Sequence, residues 1–470
     1  MKNTFYPTVF MTVALLVFAL LAVPQAFAVT FTVNSTDDLP DDLTKPGICH
    51  TAINTCTLRA AVMQANRTSG AGATIIIPAG IYTLTIPAGG EEGGSLDLTT
   101  PASGLPVITI IGAGASTTII DGNQLDRVFD VSADRIASIT GVTIQNGYCF
   151  FGCGNGGGIY NRGTLEVKNS TISGNSAFDG GGIFNYISGY LEVTNSTISG
   201  NPGGGISNSG TLIVTNSTIS RHLNGFRGIY SGSYLKVTNS TISGNLGGGI
   251  YGSGTLIVTN STISQNFANT DGGGIYNDGT LTVTNSTISQ NFANTSGGGI
   301  YNLTGAANVY NSTITGNGSD YDRDPNGGIG GGVYNGGTFN LRNTLVAGNY
   351  TANAPVPDDC YGTLGSFGRN LFGDLTGCTV NTGSGSWDYF NGGLGPLQNN
   401  GGPTWTQALL PGSNAIDGGD PVQGCIGPDA LPLATDQRGG ARVVGGGCDI
   451  GAFEYGAILP RLYLPLIFRN

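Results

Sequence analysis

Residues of the kinds that do chemistry are scarce in this chain. Only 10% of its 470 residues are charged, and His50 and His222 are its two histidines. The densest acidic run is Asp320-Tyr321-Asp322-Arg323-Asp324-Pro325-Asn326-Gly327. Carboxylates at alternate positions ahead of glycine suit calcium, a hard ion that takes about six to eight oxygens. Asp320, Asp322 and Asp324 are therefore the calcium candidates. Pro325 and Gly331, however, stand where an EF-hand loop has Gly and Glu, so a solvated polar bulge is the plainer reading. Glu166 and Glu192 occupy equivalent places in successive repeats, compatible with the roughly 5–5.5 Å of a retaining glycosidase pair. Two outward residues on a solvated strand are the preferred reading. No Gly-x-Ser-x-Gly elbow occurs, and no glycine-rich phosphate loop leads into a helix. The bases Arg162, Lys168, Arg221, Arg227, Lys236, Arg323 and Arg342 are scattered and are expected to form no cluster with acids. No catalytic constellation is recognised, no cofactor beyond the calcium candidate is expected, and the chain reads as a non-enzyme.

What recurs is aromatic. Tyr160, Phe184, Tyr230, Tyr251, Tyr276, Tyr301 and Tyr334 each follow an apolar residue in a glycine-rich string. Aligned and outward, they would make a stacking platform for sugar rings, although such rings also stack on one another. The eight cysteines fall into near neighbours: Cys49 and Cys56, Cys149 and Cys153, Cys360 and Cys378, Cys425 and Cys448. Disulfides between near neighbours are the simplest expectation for an exported chain. Zinc is the alternative, weakened by the absence of two-residue spacings and by a supply of only two histidines, His50 and His222.

The elements that must position these residues are repeats. Asn-Ser-Thr-Ile starts at Asn169, Asn195, Asn216, Asn239, Asn260, Asn285 and Asn311, with a degenerate copy at Asn343, at intervals of 21 to 32 residues. Leu-x-Val and Gly-Gly-Ile-Tyr-Asn strings keep step with it. Each unit holds three short strands between Gly, Asn and Ser turns, and β-branched residues with period-2 alternation oppose helix. Three strands per unit is one coil of a β solenoid, in which each coil buries its Ile, Val and Leu only by stacking on the next. The fold class is all-β: a right-handed parallel β-helix of three-strand coils with a short N-terminal capping helix. A leucine-rich repeat shares the period but lacks the third strand. Ile172 and Ile159 point inward, with Thr171, Ser173 and Tyr160 outward. The Asn opening each Asn-Ser-Thr is expected at a corner, its amide bonding the same Asn above and below. That ladder, rather than N-glycosylation, accounts for one sequon per coil.

The flanks divide the chain further. Residues 1–28 read as a signal peptide, with a basic start, an apolar run and Ala26-Phe27-Ala28 before the cut. Residues 29–72 form an N-terminal cap in which Thr57 caps a helix to Asn66, with Leu58, Ala61, Val62 and Ala65 on one face. The β-helix spans 73–353, regular over about 156–349, with early strands at Thr74–Ile77, Tyr82–Ile86, Val107–Ile111 and Thr140–Gln145. Final coils and a C-terminal region cover 354–456, and 457–470 is an apolar tail too short to span a bilayer. The tail is read as a docking segment for surface retention or as a last capping strand. No transmembrane span is expected in the mature chain.

Several strings carry a family resemblance. Cys56-Thr57-Leu58-Arg59-Ala60-Ala61 resembles the C-S-L-R-E-A motif of exported bacterial β-helix proteins, departing at Thr57 and Ala60. Gly-Gly-Gly-Ile-Tyr-Asn and Ile-Ser-Gly-Asn resemble the repeats of polymorphic outer membrane proteins, and the middle of the chain resembles the pectin-lyase-like β-helix. Leu394 to Leu397, Asn399 to Thr404, Gly412 to Asp417, Asp436 to Gly439 and Cys448 to Tyr455 are similar to the choice-of-anchor Q domain. The resemblance implies a secreted or surface β-helix and no particular reaction. The N-T-D, D-D, G-H-G and R-I-K set of the polygalacturonan hydrolases of that fold is not present.

Function is thus expected to be adhesion or glycan binding, or a structural surface spacer. The alternatives are a polysaccharide lyase or glycosidase and, less well founded, ice or crystalline-surface binding through Thr/Ser rows. A formal net charge of -11 opposes nucleic acid as a partner; surface polysaccharide or cell-envelope components fit better.

Overall fold

The computed structural model describes residues 28–68, 72–88, 93–99, 107–150, 153–322, 327–352, 356–382 and 385–459. The expected leader up to Phe27, residues Arg323 to Asn326 with the calcium candidate Asp324, and the tail from Pro460 lie outside the described residues.

Each repeat forms one coil of a right-handed parallel β-helix. A representative coil has strands Ile250–Gly252, Thr255–Thr259 and Thr262–Ser264. Each pairs in parallel with its counterpart in the next coil, so that Ile250 meets Ile275, Leu256 meets Leu281 and Ile263 meets Ile288. Alternation then decides burial: Ile250, Leu256, Val258 and Ile263 are buried, while Tyr251, Thr255, Ile257 and Thr259 are not. Four columns of apolar side chains fill the interior, each side chain contributing about 1.5–3 kcal/mol by leaving water. The Thr-Ile-Ser face is a 13-stranded sheet. The Leu-x-Val and Ile-Tyr-Asn faces join near the end through Cys360–Ser366, which pairs with strands of both.

The corners overturn one expectation. Asn169, Asn195, Asn216, Asn239, Asn260, Asn285, Asn311 and Asn343 all have φ between 47° and 50°, the left-handed region that Asn tolerates best after Gly. Their side chains do not build the ladder, apart from Asn343, whose Nδ2 donates to Asn311 Oδ1 at 3.4 Å. Asn169, Asn195 and Asn216 are exposed, because the left-handed turn swings them outward and brings the following Ser inward. Ser170 N donates to Ser196 Oγ and Ser196 N to Ser217 Oγ, both at 3.1 Å, and so on down the stack. Each Oγ in turn donates to the carbonyl two residues back, as from Ser196 to Thr194. Amide ladders do exist, one per other corner: Asn245 to Asn266 to Asn291 to Asn317 to Asn349, and Asn277 to Asn302 to Asn335.

Two early strands also differ from expectation. The Tyr82–Ile86 strand is Gly80–Thr83, because the amides of Thr85 and Ile86 donate to the Asp38 carboxylate at 2.7 and 3.1 Å. Thr140–Gln145 is two strands, Ile136–Thr140 and Thr143–Gln145, with a corner at Gly141 where φ is +70°. The helix Leu58–Asn66 is present, its cap Thr57 accepting from Ala60 N at 3.1 Å. Leu58, Ala61, Val62 and Ala65 are buried over the first coils, and a buried Arg59–Asp38 ion pair at 2.7 Å ties the helix to the preceding chain.

The chain does not stop at the last coil. After Ser386–Tyr389 it turns back, and residues 390–459 run as an arm over the Thr-Ile-Ser face. Asn285 and Asn311 donate through their side-chain amides to the arm carbonyls of Thr435 and Ile426. Within the arm, Arg438 pairs with Asp436 at 2.7 Å and lies 3.5 Å over the Phe453 ring. Arg442, fully buried, donates to the Asp449 carbonyl at 3.3 Å. Four disulfides join the cysteines as near neighbours: Cys49–Cys56, Cys149–Cys153, Cys360–Cys378 and Cys425–Cys448. Covalent bridges in all four places accord with an oxidising, extracellular setting. Among the described residues no helix is long and apolar enough to cross a membrane.

Candidate functional site

The aromatic column is real, interrupted and closed on itself. Tyr160 stacks on Phe184 at 5.4 Å, and Tyr230, Tyr251, Tyr276, Tyr301 and Tyr334 follow with centroids 4.5–5.2 Å apart and planes within 25° of parallel. Ser207 takes the rung between Phe184 and Tyr230, and Tyr361 adds one at the far end. Phe184 and Tyr301 were expected in the open, yet each is only 9% exposed: Tyr276 and Tyr334 cover both faces of Tyr301, while Phe184 has Tyr160 on one face and Ser207 on the next rung. A sugar approaching the inner rungs meets ring edges and phenol hydroxyls rather than faces. Burial raises the Tyr276 and Tyr301 hydroxyls above their ordinary pKa, so they stay protonated donors. A second group, Phe267, Phe292, Tyr321 and Tyr350, gathers on the small sheet outside the coils. Phe267 and Phe292 stand at the same place in successive repeats and are in register, whereas Tyr321 and Tyr350 come from longer units that the repeat does not align with them.

The scattered bases do find acids, contrary to expectation. Lys168 pairs with Glu166, and Arg342 with Asp420 at 3.4 Å. Arg162 and Arg127 both reach Asp130, at 2.8 and 2.9 Å, beneath Tyr160. Asp130 lies one coil before Arg162 and three residues after Arg127, Asp420 lies on the arm, and Glu166 lies two residues before Lys168 with both side chains on one face of the strand. Glu166 and Glu192 are in register on adjacent strands, but Glu166 is engaged by Lys168 and Ser138. Of the calcium candidates, Asp320 is buried and Asp322 exposed. Among the described residues no three His, Cys, Asp or Glu are gathered as for a metal ion.

A groove that linear reading missed lies where the arm ends its cover of the Thr-Ile-Ser face. The arm buries Thr262, Thr287 and Thr313 and leaves Thr171, Thr197, Thr218 and Thr241 partly open. Trp405 stands at that border. Its carbonyl accepts from Thr262 Oγ1 at 2.5 Å and from Gln437 Nε2 at 3.1 Å, and Thr404 Oγ1 donates to the Asn260 carbonyl at 3.1 Å. The backbone is thereby fixed while the indole side remains 52% exposed. Clefts of about 330 and 300 Å3 flank Pro403 and share Thr218 and Thr241. They are lined by hydroxyls, by the amides of Asn216, Asn239 and Gln265, and by Trp405 and Pro403, with no ionisable side chain. Size and lining suit a small ligand or a short run of a polymer. Only the partial signal was in the sequence: Asn399 to Thr404 stood out as a motif, but its seat, Asn260 and Thr262, is about 140 residues away.

The family model for the right-handed beta helix region matches residues 127–288 and 181–350. Among solved structures, pectate lyase Pel9A is similar over 91% of this chain and 96% of its own, at 16% identity and a TM-score of 0.42. ORF18 of Geobacillus virus E2 is similar over 86% of this chain and 67% of its own, at 12% identity and a TM-score of 0.36. The catalytic domain of a GH87 alpha-1,3-glucanase is similar over 75% and 70%, at 14% identity and a TM-score of 0.36. No curated protein matches the chain in sequence. The coil geometry and the family model agree on one fold, the right-handed parallel β-helix.

Proposed function

We propose that this chain is an exported, surface-displayed β-helix that binds polysaccharide without cleaving it, through the groove beside Trp405. One observation carries this reading: an indole left half open to water at the end of uncovered hydroxyl rows, in a groove free of ionisable groups. The C–H face of a sugar ring stacks on such an indole, while Thr, Ser, Asn and Gln side chains exchange hydrogen bonds with its hydroxyls. General acid–base catalysis needs a group that takes or gives a proton in the site, and the lining supplies none. A uronate carboxylate would find no cation there, so the ligand is a neutral glycan. The disulfides and the leader-like start support a place outside the cell, with the tail after Tyr455 as the retention segment.

Affinity electrophoresis through gels cast with neutral polysaccharides tests the reading. The native chain is expected to be retarded, and Trp405→Ala to weaken binding roughly tenfold, about 1.4 kcal/mol. Tyr251→Ala, in the closed column, should leave retardation unchanged. Absence of retardation in every neutral polysaccharide, with folding intact, would leave a structural spacer as the function.

A further inference from the structure

A separate cleft of about 260 Å3 lies between the arm and the Leu-x-Val face. Phe367, Ile426 and Pro428 wall it, and its polar floor carries Asn308 and Asn340. These two are in register on successive coils, and Asn340 Nδ2 donates to Asn308 Oδ1 at 3.0 Å. Elsewhere in the molecule such amide rows run on, as from Asn277 through Asn302 to Asn335 at 2.7 Å each. Here the row stops. The next residue in register is Gly365, and a Cβ there would lie 2.7 Å from Asn340 Oδ1 and 2.8 Å from Phe367 Cε2. The amide of Asn340 thus ends on a rung without a side chain, beside a Phe367 ring that is 39% exposed. Arg342 in the same cleft is held by the arm's Gln423 and Asp420 at 2.6 and 3.4 Å, so its charge is already answered.

We propose that this rung receives the acetamido group of an N-acetylated sugar. The ligand's N–H donates to Asn340 Oδ1 and extends the amide row, its methyl group packs against Phe367 and Ile426, and its ring lies toward Pro428 and Tyr310. Interchanging N and O in both Asn side chains would present a donor instead, which the acetamido carbonyl meets equally well. A secondary amide carries both functions in one plane, next to the apolar group that the walls require. The cleft shares no residue with the Trp405 groove, so it stands or falls apart from that reading.

Saturation-transfer NMR and calorimetry on the full chain, with N-acetylglucosamine and N,N′-diacetylchitobiose against glucose and cellobiose, test the proposal. The acetylated sugars are expected to bind with the strongest saturation on the acetyl methyl, at least tenfold tighter than the others. Gly365→Ala, which fills the rung, should abolish that preference, and Trp405→Ala should not. If Gly365→Ala lowers the melting temperature, Asn340→Leu removes the acceptor and should give the same loss. Equal binding of acetylated and plain sugars, no binding of either, or an undiminished preference in the variants would overturn the proposal.

Discussion

His222 shows how finely single residues are fitted to the stack. It occupies a ladder rung otherwise held by Asn, between Asn201 and Asn245, where its Nδ1 accepts from Asn201 N at 3.1 Å. The Nδ2 of Asn201 then finds no amide oxygen on the next rung, as Asn245 does in Asn266 at 2.8 Å, and His222 Nε2 is buried with no well-formed bond, facing the Ile198 backbone. Burial pushes the imidazole pKa down to about 4 from its ordinary 6.5. A folded-state pKa below the unfolded one gives stability that is present above pH 6.5 and is lost as pH falls toward 4. The loss reaches about 3 kcal/mol at 1.36 kcal/mol per unit. His222→Asn should therefore raise the melting temperature at neutral pH. The gap between variant and native chain should widen between pH 6.5 and 4 in parallel thermal melts. A gap that stays constant with pH would mean that the ring is charged in the fold. The replacement is visible in the repeat, where His222 stands six residues after Asn216 as Asn201 stands after Asn195 and Asn245 after Asn239; the burial of the ring and its bonds come only from the fold.

At the scale of the coil, the inward columns decide folding and the turns tolerate change. Ile250 is buried between Ile229 and Ile275. Ile250→Asp places an unpaired charge there and should cost several kcal/mol, unravelling neighbouring coils. Asn269→Asp, in an exposed turn, should melt like the native chain. Hydrogen exchange would locate the damage: protection lost over several coils for the first variant and nowhere for the second. Strand periodicity, inward and outward assignment, the capping helix and the disulfide partners were all legible, because each is a local or repeating pattern. The corner ladder was misread for a definite reason. The repeat marks Asn and Ser equally, and only the left-handed φ of Asn169 and its equivalents reveals that Ser turns inward.

At the scale of the molecule, the feature least visible in the sequence is the arm. Its motifs, Asp436 to Gly439 and Cys448 to Tyr455, are distinctive, yet nothing in their spacing says that they lie across coils laid down more than 100 residues earlier. The arm covers the later coils of one face from Thr262 on and, at its edge, converts a plain hydroxyl surface into a groove with an aromatic wall. That edge is the central claim, and Trp405 reports on it directly, since the chain has only one other tryptophan, Trp387. In a Trp387→Phe background, titration with neutral polysaccharide should shift the emission of Trp405 to shorter wavelength and saturate, because a stacked sugar removes water from the indole. Emission that stays constant while the polysaccharide binds elsewhere, or does not bind at all, would contradict the account.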